Sequence, residues 1–61
     1  MKIYFVIDKA NLQKSVFILA KDEIDNSYRF VDAKDATLIP IKFKTVSNAL
    51  SWLDIGYDWV C

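Results

Sequence analysis

The chain opens with apolar residues at every second position, which is the period typical of β-strands. In residues 1–8, Ile3, Phe5 and Ile7 fall on one face, and the other face mixes charged, aromatic and aliphatic residues. Residues 15–20 are apolar on both faces in the middle of the segment. A strand of that kind is typical of the centre of a sheet that is covered on both sides, at least in part.

Two more predicted strands follow, separated by polar segments whose residue types form turns. Residues 27–32 predict a short strand, and residues 37–44 show the cleanest alternation in the chain. Pro40 has no amide hydrogen, which predicts that the last of these strands lies at an edge of the sheet, or that Pro40 sits at its start or at a bulge. In the first turn, Asn11 is the residue suited to the left-handed backbone conformation.

After residue 44 the apolar period changes to that of a helix. The spacing i, i+3, i+4 and i+7 defines one apolar stripe, formed by Val46, Ala49, Leu50 and Leu53. Thr45 is a suitable N-cap, and Gly56 is a suitable residue just past the C-terminal end. A helix of about three turns is not stable alone, so its stripe must cover a sheet. The faces that carry Ile3 and Ile39 are the natural partners, although several strands are apolar on both faces and the choice of face stays open.

These elements predict an α+β fold in one small domain, residues 1–61: an antiparallel β-meander of three to four strands with one C-terminal α-helix packed on one face. Residues 57–61 either add a short final strand or lie along the surface. The junction KFKTVSNALSWL, residues 42–53, resembles the end of small sheet-plus-helix modules such as the arm-type DNA-binding domain of some phage integrases. The resemblance implies helix-on-sheet packing, and no residue role is transferred from it.

Composition narrows the classes of function. The chain is 54% hydrophobic and 15% aromatic, which favours a folded domain, and its net charge is zero. With no histidine it lacks the commonest general base and metal ligand, and its single cysteine, Cys61, can form neither an internal disulfide nor a metal site. We therefore expect a protein that is not an enzyme and that uses no cofactor or metal. The unpaired thiol favours the cytoplasm, and no apolar run approaches the ~20 residues that span a bilayer.

The C-terminal aromatic residues admit two roles. Trp52, Tyr57 and Trp59 either close one end of a small core or form an exposed cluster that another protein binds. Tyr4 and Val6 lie on a second sheet face for which the sequence offers no second helix, and an uncovered apolar face is typical of a binding site or a dimer interface. These five residues are the candidate partner-binding residues. We expect a small protein–protein interaction module, an inhibitor, adaptor or accessory subunit of the kind that phages encode, which docks on a larger protein or forms a homodimer.

A small nucleic-acid-binding module is the alternative function. Lys2, Arg29, Lys42 and Lys44 would form a modest basic patch on the sheet, with neighbouring aromatic residues available for base stacking. The lysines also fit the ordinary protection of an edge strand, where charge discourages the addition of further strands. A net charge of zero makes nucleic acid the less expected partner, because each phosphate contact needs a cation.

Overall fold

The computed structural model describes residues 2–60, which form five strands and one helix. In chain order the elements are β1 (Lys2–Asp8), β2 (Lys14–Asp22), β3 (Ser27–Asp32), β4 (Thr37–Leu38), α1 (Val46–Gly56) and β5 (Tyr57–Trp59). All strand pairs are antiparallel, and the order across the sheet is β4-β3-β2-β1-β5. The first four strands therefore pair consecutively, and β5 returns to the remaining edge of β1. The predicted α+β meander with one helix is confirmed, including the short final strand.

The three hairpin turns of the meander are built alike. Each begins with an aspartate whose side chain accepts a hydrogen bond from the backbone N–H two residues ahead: Asp8, Asp22 and Asp32. Three residues later a second side chain does the same: Asn11, Asp25 and Asp35. The next residue has left-handed backbone: Leu12, Asn26 and Ala36, with φ angles of 60°, 59° and 58°. The prediction that Asn11 takes this conformation is wrong, because Asn11 holds the N–H of Gln13 at 3.0 Å and the left-handed position passes to Leu12.

The predicted strand over residues 37–44 is interrupted at Pro40. β4 has two residues, and the chain then turns tightly, with the N–H of Ile41 bonded at 2.8 Å to the carbonyl two residues before it. Pairing with β3 resumes at Phe43, which exchanges two backbone hydrogen bonds with Tyr28. Because β4 is the outermost strand on its side, the predicted edge position of this strand is confirmed, and Pro40 lies in the bend that follows it.

Helix α1 begins after Thr45, whose hydroxyl oxygen accepts a hydrogen bond from the N–H of Asn48 at 3.1 Å, and this confirms the predicted N-cap. Gly56 is the last helical residue and not the one beyond it, because the chain passes directly from the helix into extended β5. The buried side of the helix carries Ala49 and Leu53, each of which is 0% exposed. Within residues 2–60, no helix is long and apolar enough to cross a bilayer.

Helix α1 packs on the sheet face that carries Tyr4 and Val6, so the expectation that it covers the face of Ile3 is wrong. The buried core consists of Val6, Phe17, Leu19, Phe30, Phe43, Ala49 and Leu53. The strand register places Phe17 and Phe30 on the same side as Tyr4, because directly paired residues share a face. Covering those rings removes large aromatic side chains from water, and this burial favours the observed packing.

Candidate interaction surface

The sheet face turned away from α1 carries a continuous apolar surface. Its members, together called the open face, are Ile3, Phe5, Ile7, Val16, Ile18, Ala20, Val31 and Leu38. One row of paired residues crosses four strands: Ile3, Ile18, Val31 and Leu38. The exposed fraction is 55% for Ile3, 57% for Phe5 and 50% for Leu38. Nothing in residues 2–60 covers this face, since the helix of the described chain lies on the opposite side.

The open face is the part of the candidate site that sequence reasoning assigned to the core. The alternation in β1 groups Ile3, Phe5 and Ile7 on one side of the strand, and that grouping is correct. The pattern carries no information about which side the helix takes, because β2 is apolar on both faces. The number of helices was the available signal: one helix can cover one face of the sheet, so one apolar face had to stay uncovered.

Charged residues mark the two ends of the open face. At one end, Lys14 and Asp58 flank Ile7 from its two neighbouring strands. At the other end lie Asp22 and Arg29, on β2 and β3. The Nε atom of Arg29 is buried and has no hydrogen-bond partner among the described residues. The open face therefore has an apolar centre between two ends where cations and anions stand side by side, and Asp58 at the first end also lies 3.9 Å from the Nζ atom of Lys9.

Trp52 belongs to the aromatic cluster beneath α1. Its ring stacks on Phe30 with centroids 5.7 Å apart, and it lies 5.8 Å from Phe43 and 6.0 Å from Tyr57. The side of the helix that is buried is rotated from the predicted stripe towards Trp52, which leaves Val46 37% exposed. Trp52 is half-buried, so its contacts within the chain are those of a packing residue at the margin of the core.

Tyr57 closes the end of the core beside Phe17. The two rings meet edge to face with centroids 5.2 Å apart. Burial of the Tyr57 side chain raises the pKa of its hydroxyl, and the negative charges of Asp8 and Asp32 raise it further. The half-buried Tyr57 thus packs inside the fold and offers a partner only the rim of its ring.

Trp59, Tyr4 and Val6 differ in how much surface they present. Trp59 is 43% exposed, and its indole N–H donates to the Asp54 carboxylate at 3.1 Å, which fixes the ring over the end of α1. Tyr4 is half-buried and meets Trp59 edge to face at 5.6 Å. Val6 is 1% exposed, so it lies in the core beneath the helix and cannot touch a partner. Of the five candidate partner-binding residues, Trp59 is the most exposed to water.

The structure does not gather the candidate basic residues into one patch. The Nζ atom of Lys42 lies 2.8 Å from the Asp25 carboxylate, and this hydrogen bond, with those from a neighbouring serine, holds the pKa of Asp25 well below its usual range. Lys2 projects from the face that α1 covers, whereas Arg29 projects from the opposite face. Lys44 is exposed in the segment before α1. The four cations therefore point to different sides of the molecule or are already paired.

No family model matches the chain, and no curated protein or solved structure is significantly similar to it. Across the described range 2–60, no group of three or more histidine, cysteine, aspartate or glutamate side chains is placed to hold a metal ion.

Proposed function

We propose that this protein is a non-enzymatic interaction module that binds another protein chain through the open face. The observation that carries the proposal is the row of Ile3, Ile18, Val31 and Leu38, which keeps aliphatic side chains in water across four adjacent strands. Soluble proteins bury such surfaces unless a partner covers them, because apolar area exposed to water is costly. The biological role that fits is that of an inhibitor, adaptor or accessory subunit in the cytoplasm.

The size of the exposed surface supports this proposal. The usual strand spacing and residue rise allot about 33 Å² of one sheet face to each residue, so the residues of the open face together project about 260 Å², close to the lower end of the range for the largest apolar patch on a monomer. The whole chain exposes 4474 Å² of accessible surface. A compact monomer of its mass, 7.1 kDa, is expected to expose about 4,100 Å².

The nucleic-acid alternative has weaker support. A binding groove for a phosphate backbone needs several cations on one surface, and here Lys42 is paired with Asp25 while Lys2 and Arg29 lie on opposite faces of the sheet. The open face itself is apolar at its centre, and its ends carry as many anions as cations. Such a surface fits a protein partner better than a polyanion.

A matched pair of substitutions tests the proposal. Ile3 is 55% exposed on the open face, and Ile55 is 79% exposed on α1, so Ile3→Lys and Ile55→Lys make the same chemical change on opposite sides of the molecule. The tagged wild-type chain and both variants are expressed in the source cell together with an untagged copy, purified with and without nuclease, and compared by circular dichroism to verify the fold.

The expected result is one stoichiometric protein partner, either the untagged copy or another chain, that survives nuclease, is lost with Ile3→Lys and is retained with Ile55→Lys. Equal partner recovery with the two variants would remove the open face from the interaction. Recovery that depends on nucleic acid would transfer support to the alternative function.

A further inference from the structure

We propose that the partner on the open face is a second copy of this chain, packed face to face so that β2 of one copy runs antiparallel over β2 of the other. This inference rests on the proposed function and names the partner of the same surface. The two sheets would form a sandwich between two outer layers of helix. The two-fold axis would lie midway between the two sheets, perpendicular to the strands and level with Ile18.

The pattern of β2 is self-complementary about Ile18. The residues that β2 contributes to this side of the sheet are, in order, Lys14, Val16, Ile18, Ala20 and Asp22. Turning a second copy about the axis places Ile18 on Ile18, the larger Val16 over the smaller Ala20, and Lys14 over Asp22. In a two-fold interface each contact away from the axis occurs twice, so both ends of the strand gain an ion pair of opposite charges.

The charges also favour this antiparallel stacking over an arrangement in which the two copies of β2 run parallel. If the axis ran along β2, the strand would lie parallel to its copy, and Lys14 would face Lys14 while Asp22 would face Asp22. Like charges opposite one another destabilise an interface, so only the antiparallel stacking is electrostatically favourable. The net charge of zero removes any general repulsion between two identical chains.

The spacing of stacked sheets and the area of the open face describe the dimer that a second copy would form. Sheets that pack face to face lie about 10 Å apart with strand directions within about 30°, and their inner side chains interdigitate to form a core. A standard interface takes about 800 Å² from each partner, whereas the open face with its charged ends projects about 390 Å², so the dimer would have a small interface and would associate weakly. The dimer would leave Trp59 and the outer side of α1 in water.

The first test is the mass of the full chain in solution, measured by sedimentation equilibrium from about 1 to 500 μM, a range that covers the dissociation constants of a weak dimer. The wild-type chain should move from 7.1 kDa towards twice that mass as its concentration rises. Ile3→Lys should weaken the association at least about tenfold, whereas Ile55→Lys should leave it unchanged. A wild-type chain that stays at 7.1 kDa at every concentration would overturn the inference.

The second test is a double-mutant cycle between the two ends of β2. Lys14 and Asp22 lie about 27 Å apart within one chain, so a coupling between them must act between copies. Lys14→Glu should weaken association about tenfold in the wild-type background and clearly less in the Asp22→Asn background, where the new like-charge pair is absent. Asp22→Asn keeps the side-chain oxygen that accepts the N–H of Ile24, so the turn is preserved.

Equal effects of Lys14→Glu in both backgrounds would overturn the antiparallel stacking. A monomeric chain that still binds a different protein, lost with Ile3→Lys, would overturn the second-copy inference and leave the proposed function standing. A monomeric chain with no partner that depends on the open face would overturn both.

Discussion

Replacing Ala36 with glycine should stabilise the protein. Ala36 follows Asp35 in the turn between β3 and β4, and its φ of 58° lies in the left-handed region that non-glycine residues avoid. The side chain is exposed, so the substitution removes no packing contact. Asp35 keeps its hydrogen bond to the N–H of Thr37, so the rest of the turn is unaffected.

The magnitude follows from two opposing effects. A left-handed L-residue costs roughly 1–2 kcal/mol, which glycine avoids because it has no Cβ atom. Glycine also gives the unfolded chain more freedom, which costs about 0.4–1 kcal/mol. The net gain in the free energy of unfolding is about 0.5–1 kcal/mol. For so small a domain that gain corresponds to a rise in Tm of roughly 2–8 °C.

Ala33→Gly is the matched control, because Ala33 is exposed in the same turn and is not among the residues with positive φ. It should lose about 0.5–1 kcal/mol through unfolded-state entropy alone. Urea unfolding of both variants, followed by circular dichroism at one fixed protein concentration, measures the two shifts with opposite signs. Equal destabilisation by the two substitutions would refute the argument that backbone strain resides at Ala36.

Four other predictions concern the core, the helix N-cap and two titratable groups. Trp52→Ala should lower the free energy of unfolding by about 2–3 kcal/mol in urea titrations, because the half-buried ring packs in the aromatic cluster, whereas Trp52→Phe should retain much of it. Thr45→Ala should cost about 1 kcal/mol by the same measurement, and Thr45→Ser much less, since serine keeps the cap. The pKa of Asp25 is lowered in the folded state, so the stability that the ionised carboxylate contributes is fully present above about pH 4, near the unfolded pKa, and declines progressively as the pH falls towards the lowered folded value. The difference in urea midpoint between wild type and Asp25→Asn should therefore shrink between pH 7 and pH 3. The raised pKa of Tyr57 should appear as one tyrosine that ionises late in an ultraviolet titration and is absent from Tyr57→Phe, and stability should fall above about pH 10 as the unfolded chain ionises first.

Most of the fold could be predicted from the local periodicity of apolar residues. The alternation in residues 2–8 and 27–32 and the helical spacing after Thr45 depend only on neighbours along the chain, and these elements appear where they were predicted. The cap at Thr45 and the edge position of the strand before Pro40 are local as well, since each depends on one residue's own hydrogen-bonding groups.

The repeated turn was also present in the sequence, but only in a combination that single-residue preferences do not reveal. Asn11 alone suggests a left-handed residue, whereas the spacing of aspartate and Asn or Asp three positions later places that conformation on the following residue. Leu12 and Ala36 have no intrinsic preference for it. They adopt it because the side-chain hydrogen bonds before them fix the path of the chain.

The tertiary structure alone decided which face of the sheet the helix covers. β1 offers Ile3 and Phe5 on one side and Tyr4 and Val6 on the other, and a period of two shows that the faces differ without ranking them. The strand register places the aromatic rings of β2 and β3 on the same face as Val6, and the helix packs on that face, where Trp52 stacks on Phe30. One helix can cover only one face of the sheet. The apolar open face that it leaves in water is therefore the surface on which the proposed function rests.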